Sequence, residues 1–159
     1  MSYVQVMGGS VTSTGDETAR HTPGSKAVID GKEYMYVLFD NGTDNVASAA
    51  GGTAFWKTMA TFTVTSDYSS SIGSGKVNTV AGLFNSIVTD AYYCWIQLKG
   101  YTATCVCGAS VVTGDLLIAS STDLTVARMQ ADTAPTNVVV GLALSAVSSS
   151  NVKAYLTLN

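Results

Sequence analysis

The chain holds one histidine, three cysteines and 11 acidic residues, so few of its side chains could carry chemistry near neutral pH. His21 stands in Asp16-Glu17-Thr18-Ala19-Arg20-His21, beside two carboxylates and a guanidinium. Proton transfer there needs a structured pocket. The surrounding residues are the least core-like of the sequence, which points to a surface or interface role. Cys105 and Cys107 would face one side of a strand, but a zinc site takes four ligands, and Cys94 with His21 completes no recognisable spacing. An odd number of cysteines argues against a disulfide framework and for buried free thiols. A turn near Lys99-Gly100 would leave room for Cys94 to face Cys105.

Gly73-Ser74-Gly75-Lys76 lacks both the leading glycine and the trailing Ser/Thr of a phosphate-binding loop. Gly114-Asp115 has no second acid nearby for calcium binding or hydrolysis. No catalytic, cofactor-binding or metal-ligating residue is assigned, and an enzyme is not expected. Trp56, Tyr68, Tyr92, Tyr93, Trp95 and Tyr101 could bind sugar rings or a partner protein if they stand exposed in a row. Core packing is the plainer account of most of them.

The elements that position these residues read as strands. Of 159 residues 47% are hydrophobic and 12% charged, and Ser, Thr, Ala, Val and Gly favour pleated strands and turns. The expected class is all-β, a single domain built as a compact β-barrel or a β-sandwich or tulip-like knob. A net charge of −3 lacks the basic field that phosphate binding needs, which excludes nucleic acid. No apolar run approaches the ~18 residues of a membrane span, and no secretory leader is visible, so synthesis in the cytoplasm is expected.

Residues 1–30 are polar and rich in Gly, Ser and Thr, and read as an extended N-terminal arm that orders only against a partner. Residues 31–159 form the domain. Lys32–Phe39 alternates as a strand with Tyr34 and Tyr36 on one face, and Thr61–Thr65 reads as a half-buried strand with outward threonines. Val80-Ala81-Gly82-Leu83-Phe84-Asn85-Ser86-Ile87-Val88 matches Val139-Val140-Gly141-Leu142-Ala143-Leu144-Ser145-Ala146-Val147. Each copy is followed by a polar turn and an alternating strand, so each is a β-hairpin, preceded by a further strand at 61–65 or 115–119. The duplicated unit covers about 60–99 and 115–158. Helical spacing also fits Val77, Val80, Ala81, Phe84 and Val88, but the second copy is strongly strand-like.

Gly82-Leu83, Tyr92-Tyr93-Cys94-Trp95-Ile96-Gln97-Leu98-Lys99-Gly100, Val111-Val112-Thr113-Gly114-Asp115-Leu116-Leu117 and Val140-Gly141-Leu142-Ala143-Leu144 form a pattern that resembles the capsid decoration, or cement, proteins of tailed bacteriophages. The resemblance covers roughly residues 60–159, and it departs at Cys94, where glycine is common. It implies a β-barrel or tulip-like knob, commonly a homotrimer, on the exterior of the virion over contacts between major capsid proteins. The implied role is to stabilise the capsid as a structural protein. A tail fibre or tail-tip adhesin binding host glycan or protein is the alternative. On this reading Tyr3, Val4, Val6, Arg20, His21 and Lys26 of the arm are the capsid-contact candidates. Tyr34, Tyr36, Tyr93 and Trp95, on strands with two apolar faces, are the oligomer-interface candidates.

Overall fold

A computed structural model describes residues 11, 14–72, 79–129 and 138–158. The first two strands, β1 (Lys26–Ile29) and β2 (Lys32–Phe39), pair antiparallel. They are joined by Asp30 and Gly31 at φ 50° and 74°, the left-handed pair that a two-residue hairpin requires. β2 has the bounds read from its alternation. The arm is less irregular than expected, because residues 26–29 already belong to the sheet.

Next come β3 (Thr53–Thr58), β4 (Thr63–Thr65), β5 (Val80–Phe84) and β6 (Tyr93–Val106). Neighbours run β2-β4-β3-β5-β6, and β2 pairs again with β6, so five strands close a barrel. Val37, Phe39, Val64, Phe84 and Ile96 fill it at 0–1% exposure, with Phe39 and Phe84 edge to face at 5.3 Å. Residues 80–84 are strand, as the repeat argued and the helical spacing did not. The threonines of β4 do not face solvent: Thr63 and Thr65 are buried in the ring. Their hydroxyls are held locally, Thr63 by Thr61 and Thr65 by the Asp67 amide. No turn interrupts Lys99-Gly100 either. β6 runs on for 14 residues with Gly100 at φ 95°, which bends the strand and carries Cys105 away from Cys94.

That bend hands β6 to a second set of strands, β7 (Leu116–Ala119), β8 (Val126–Arg128), β9 (Val139–Ala143) and β10 (Asn151–Thr157). Their order along the sheet, β8-β7-β9-β10, reproduces β4-β3-β5-β6. The strand that completes the second set is the far half of β6, antiparallel to β10 and joined to β8 by a parallel bridge from Cys107 to Val126. β2 does the same in the first set, antiparallel to β6 and parallel to β4. Even single bonds recur: Asp40 N donates to Val64 O and Gly108 N to Val126 O, both at 2.9 Å. The repeat is therefore wider than the paired hairpins, with β6 closing the five-stranded barrel and running on into the strands outside it. The partner of β7 in this duplication is β3, not the strand at 61–65.

Gly82 and Gly141 explain why the repeat keeps glycine. A methyl group on Gly82 would stand 2.8 Å from the Gln97 carbonyl oxygen, and one on Gly141 would run into the Tyr155 carbonyl. Each lets two strands close side by side.

Candidate functional site

Residues 14–25 fold back over the outer face of β2 and β6. Asp16 bridges Tyr93 through two backbone bonds, at 2.8 and 2.9 Å. The Tyr36 hydroxyl donates to Asp16 Oδ2 at 2.8 Å and accepts from Arg20 N at 3.2 Å, while Arg20 Nε holds Asp16 Oδ1 at 2.9 Å. His21 sits edge-on to Tyr36 at 5.1 Å and beside Trp95 at 5.3 Å; Tyr93 stacks on Tyr36. Burial pushes the Tyr36 hydroxyl up to about 12, aided by the Asp16 bond and charge and opposed by the Arg20 amide. A phenol held so far above neutrality and already donating to a carboxylate is a structural strut.

This assembly changes the meaning of the sequence candidates. Tyr34, Tyr36 and Trp95 are buried and Tyr93 half-buried, so the chain's own N-terminal residues occupy the face expected to meet another subunit. Much of the apolar surface of this face is thus buried within the chain. Of the capsid-contact set, Arg20 keeps 75% of its side chain exposed despite its ion pair. His21 is half-buried, and Lys26 is engaged with Glu33 at 3.0 Å. Tyr3, Val4 and Val6 lie outside the described residues.

The loops at one end of the barrel converge on Asp67, a residue that no sequence signal singles out. Its carboxylate is fully buried. It caps the short 3₁₀ turn Tyr68–Ser70, accepting from Ser69 N at 2.8 Å, from the Ser69 and Ser70 hydroxyls at 2.6 Å each, and from Asp44 N at 3.2 Å. Burial alone would raise its pKa, but the serine hydroxyls and then the amides overcome this and hold it well below the usual carboxylate range. Gly42, at φ 78°, lies so close that no side chain fits there. Asp40 is tied to Lys57 at 2.7 Å, and Asp90 accepts from Asn41 N. Each acid is spent on loop geometry. Among the described residues no group of three His, Cys, Asp or Glu side chains could hold a metal, and no helix is long and apolar enough to cross a membrane.

All three thiols are free and buried. Burial pushes Cys94 and Cys105 up to about 12, with small additions from Asp16 and Cys107 respectively. As thiols, not thiolates, they pack as small apolar groups.

What stays uncovered is an apolar row on one face of the strands outside the barrel. Tyr101 on β6 pairs with Tyr155 on β10, Tyr155 with Leu142 on β9, and Leu142 with Leu116 on β7. These four lie side by side across four strands, spanning about 14 Å at normal strand spacing. Their exposures are 42, 50, 38 and 40%. Side by side on one face, these large side chains make a wider apolar patch than a scatter of single residues would. Tyr101 was among the aromatic candidates; Tyr155, Leu142 and Leu116 were missed. A tyrosine between Lys153 and Thr157 on the polar side of an alternating strand was the available signal. Compared with protein-family models, curated proteins and solved structures, the chain matches none.

Proposed function

We propose that the chain is a virion structural protein that binds the outer surface of a phage capsid and stabilises the shell by bridging major capsid proteins. Two things support this: the resemblance of residues 60–159 to capsid decoration proteins, and the character of the surface. The carrying observation is the row Tyr101–Tyr155–Leu142–Leu116, a solvent-facing apolar strip on the strands outside the barrel. A surface of this kind works by burying area against protein, and binding only the assembled shell stabilises it by mass action. Arg20 remains the described residue best placed to reach outward from the N-terminal segment.

Purified chain should co-sediment with undecorated capsids and raise the temperature at which they rupture. Failure of both would sink the proposal. Tyr101 and Tyr155, side by side and exposed, favour one alternative, a tail adhesin that stacks sugar rings. Copy number separates the two, since hundreds per particle mean shell decoration and a few mean tail.

A further inference from the structure

Between the bend of β6 and the loop before β3 lies a cleft of about 200 Å³. Gln97 and Tyr34, 3 and 6% exposed, line it together with half-buried Asn85. The nitrogens of the two amides are already committed. Gln97 Nε2 donates to the carbonyls of Lys99, Gly100 and Tyr101 at 3.1–3.2 Å, and Asn85 Nδ2 to those of Val11 and Trp95 at 3.2 Å. Those bonds fix which atom of each amide is the oxygen. Among the described residues, no donor meets Gln97 Oε1 or Asn85 Oδ1, and the Tyr34 hydroxyl has no partner. Burial, and after it the charge of Asp30, raises the pKa of that hydroxyl, so it stays a donor at neutral pH. Largely buried polar groups without partners are the exception in folded proteins.

The fold itself does not ask for these amides. Asn85 falls on Leu144 in the repeat. Gln97, beside Tyr34 and Leu83, holds the register that Tyr155 holds beside Tyr101 and Leu142. The second set of strands is thus built with an aliphatic and an aromatic side chain at the same two places.

We propose that this cleft binds one ring of a neutral saccharide. The lining residues decide the charge of the ligand. No carboxylate lines the cleft, and Lys32 at its wall repels a cation. An anion would face two amide oxygens with Lys32 alone to offset them. What fits is a neutral group that carries both donors and acceptors. The hydroxyls of a sugar ring do both, donating to Gln97 Oε1 and Asn85 Oδ1 and accepting from Lys32 and the Tyr34 hydroxyl. Phe84, Ala50 and Ala103 also line the cleft and give the C–H face of such a ring an apolar wall. The volume lies below the ~300–1,000 Å³ of drug-sized sites, which limits the occupant to about one ring. Hydroxyls that reproduce the hydrogen bonds of water can replace it in a polar cleft of this kind. The site is separate from the row given to the capsid and does not depend on it.

Titration of the isotope-labelled full chain with glucose, galactose, mannose and N-acetylglucosamine, each to about 100 mM, tests this by amide NMR shifts. At least one sugar should give saturable shifts at Gly51, Asn85, Gln97 and Thr102–Thr104, with a Kd of about 1–10 mM, the range of a single small ring. Tyr34→Phe removes only a hydroxyl without a partner among the described residues, so it should weaken binding by about 5-fold and leave the thermal transition unmoved. Lys32→Met, which keeps the aliphatic stem, should weaken it to a similar degree. No saturable shift with any of the four sugars overturns the proposal, as does a Tyr34→Phe chain that binds as tightly as wild type. Shifts that survive Tyr34→Phe and vanish in Tyr155→Thr place the sugar on the exposed row and overturn the cleft. N-acetylglycinamide that shifts the same amides where all four sugars fail gives the cleft to peptide and overturns the saccharide. Capsid co-sedimentation reads the row instead, so either proposal fails without the other.

Discussion

Asp67→Asn isolates the buried carboxylate that fastens the loops of the barrel. The substitution keeps shape and replaces one oxygen by an NH₂ group. If the remaining oxygen keeps Ser69, the new donor faces Asp44 N and the Ser70 hydroxyl, both of which donate to Oδ2. Two bonds to a charged group are lost, at ~1.5–3 kcal/mol each, so the variant should lose about 3–6 kcal/mol at neutral pH. For a chain of this length that is a fall of roughly 10 °C in melting temperature. Urea denaturation of the two proteins measures it directly. The pH dependence checks the cause. The folded-state pKa of Asp67 is depressed below its ordinary 3.8, so its contribution is complete above that value and is lost as pH falls toward the folded pKa. Between about pH 5 and pH 2 the gap between wild type and Asp67→Asn should therefore narrow by about 2 kcal/mol, at ~1.4 kcal/mol per pH unit and proton. A variant within 1 kcal/mol of wild type at neutral pH, by the same ~1 kcal/mol yardstick for an ordinary hydrogen bond, refutes the reasoning. So does a gap that stays constant with pH.

Two further outcomes are expected. Gly82→Ala and Gly141→Ala should each destabilise the chain by about 1–3 kcal/mol in urea melts, because the new methyl meets a backbone carbonyl that cannot swing aside; two unchanged melts would mean the strands can separate freely. Tyr36→Phe removes the bonds to Asp16 and Arg20 N, should lower stability by about 1–2 kcal/mol, and should speed tryptic cleavage after Arg20; cleavage at the wild-type rate would show that the strut does not hold residues 14–25.

The strand Lys32–Phe39 was legible to the residue because alternation is a local signal. The hairpins at 80–99 and 139–158 were legible for a like reason: glycine is the only residue that admits the neighbouring strand at 82 and 141. The candidate site was far less so. Nothing near Tyr36 or Trp95 says that residues 14–25 return to cover them, because Asp16 meets Tyr93 from the other half of the barrel. Asp67 looked like any loop acid until Asp44, Ser69 and Ser70 were brought around it.

The sequence alone determined an all-β chain with a repeated glycine-marked hairpin, since strand period and turn residues act within a few positions. Only the tertiary structure decided that β3, not β4, corresponds to β7, and that β6 serves both the barrel and the strands beyond it. It alone decided that one of two equivalent rows is buried while the other stands in solvent. Pairing partners and burial depend on which distant strands meet. Thr53 is covered and Leu116 is not, although each sits at the same place in its own unit.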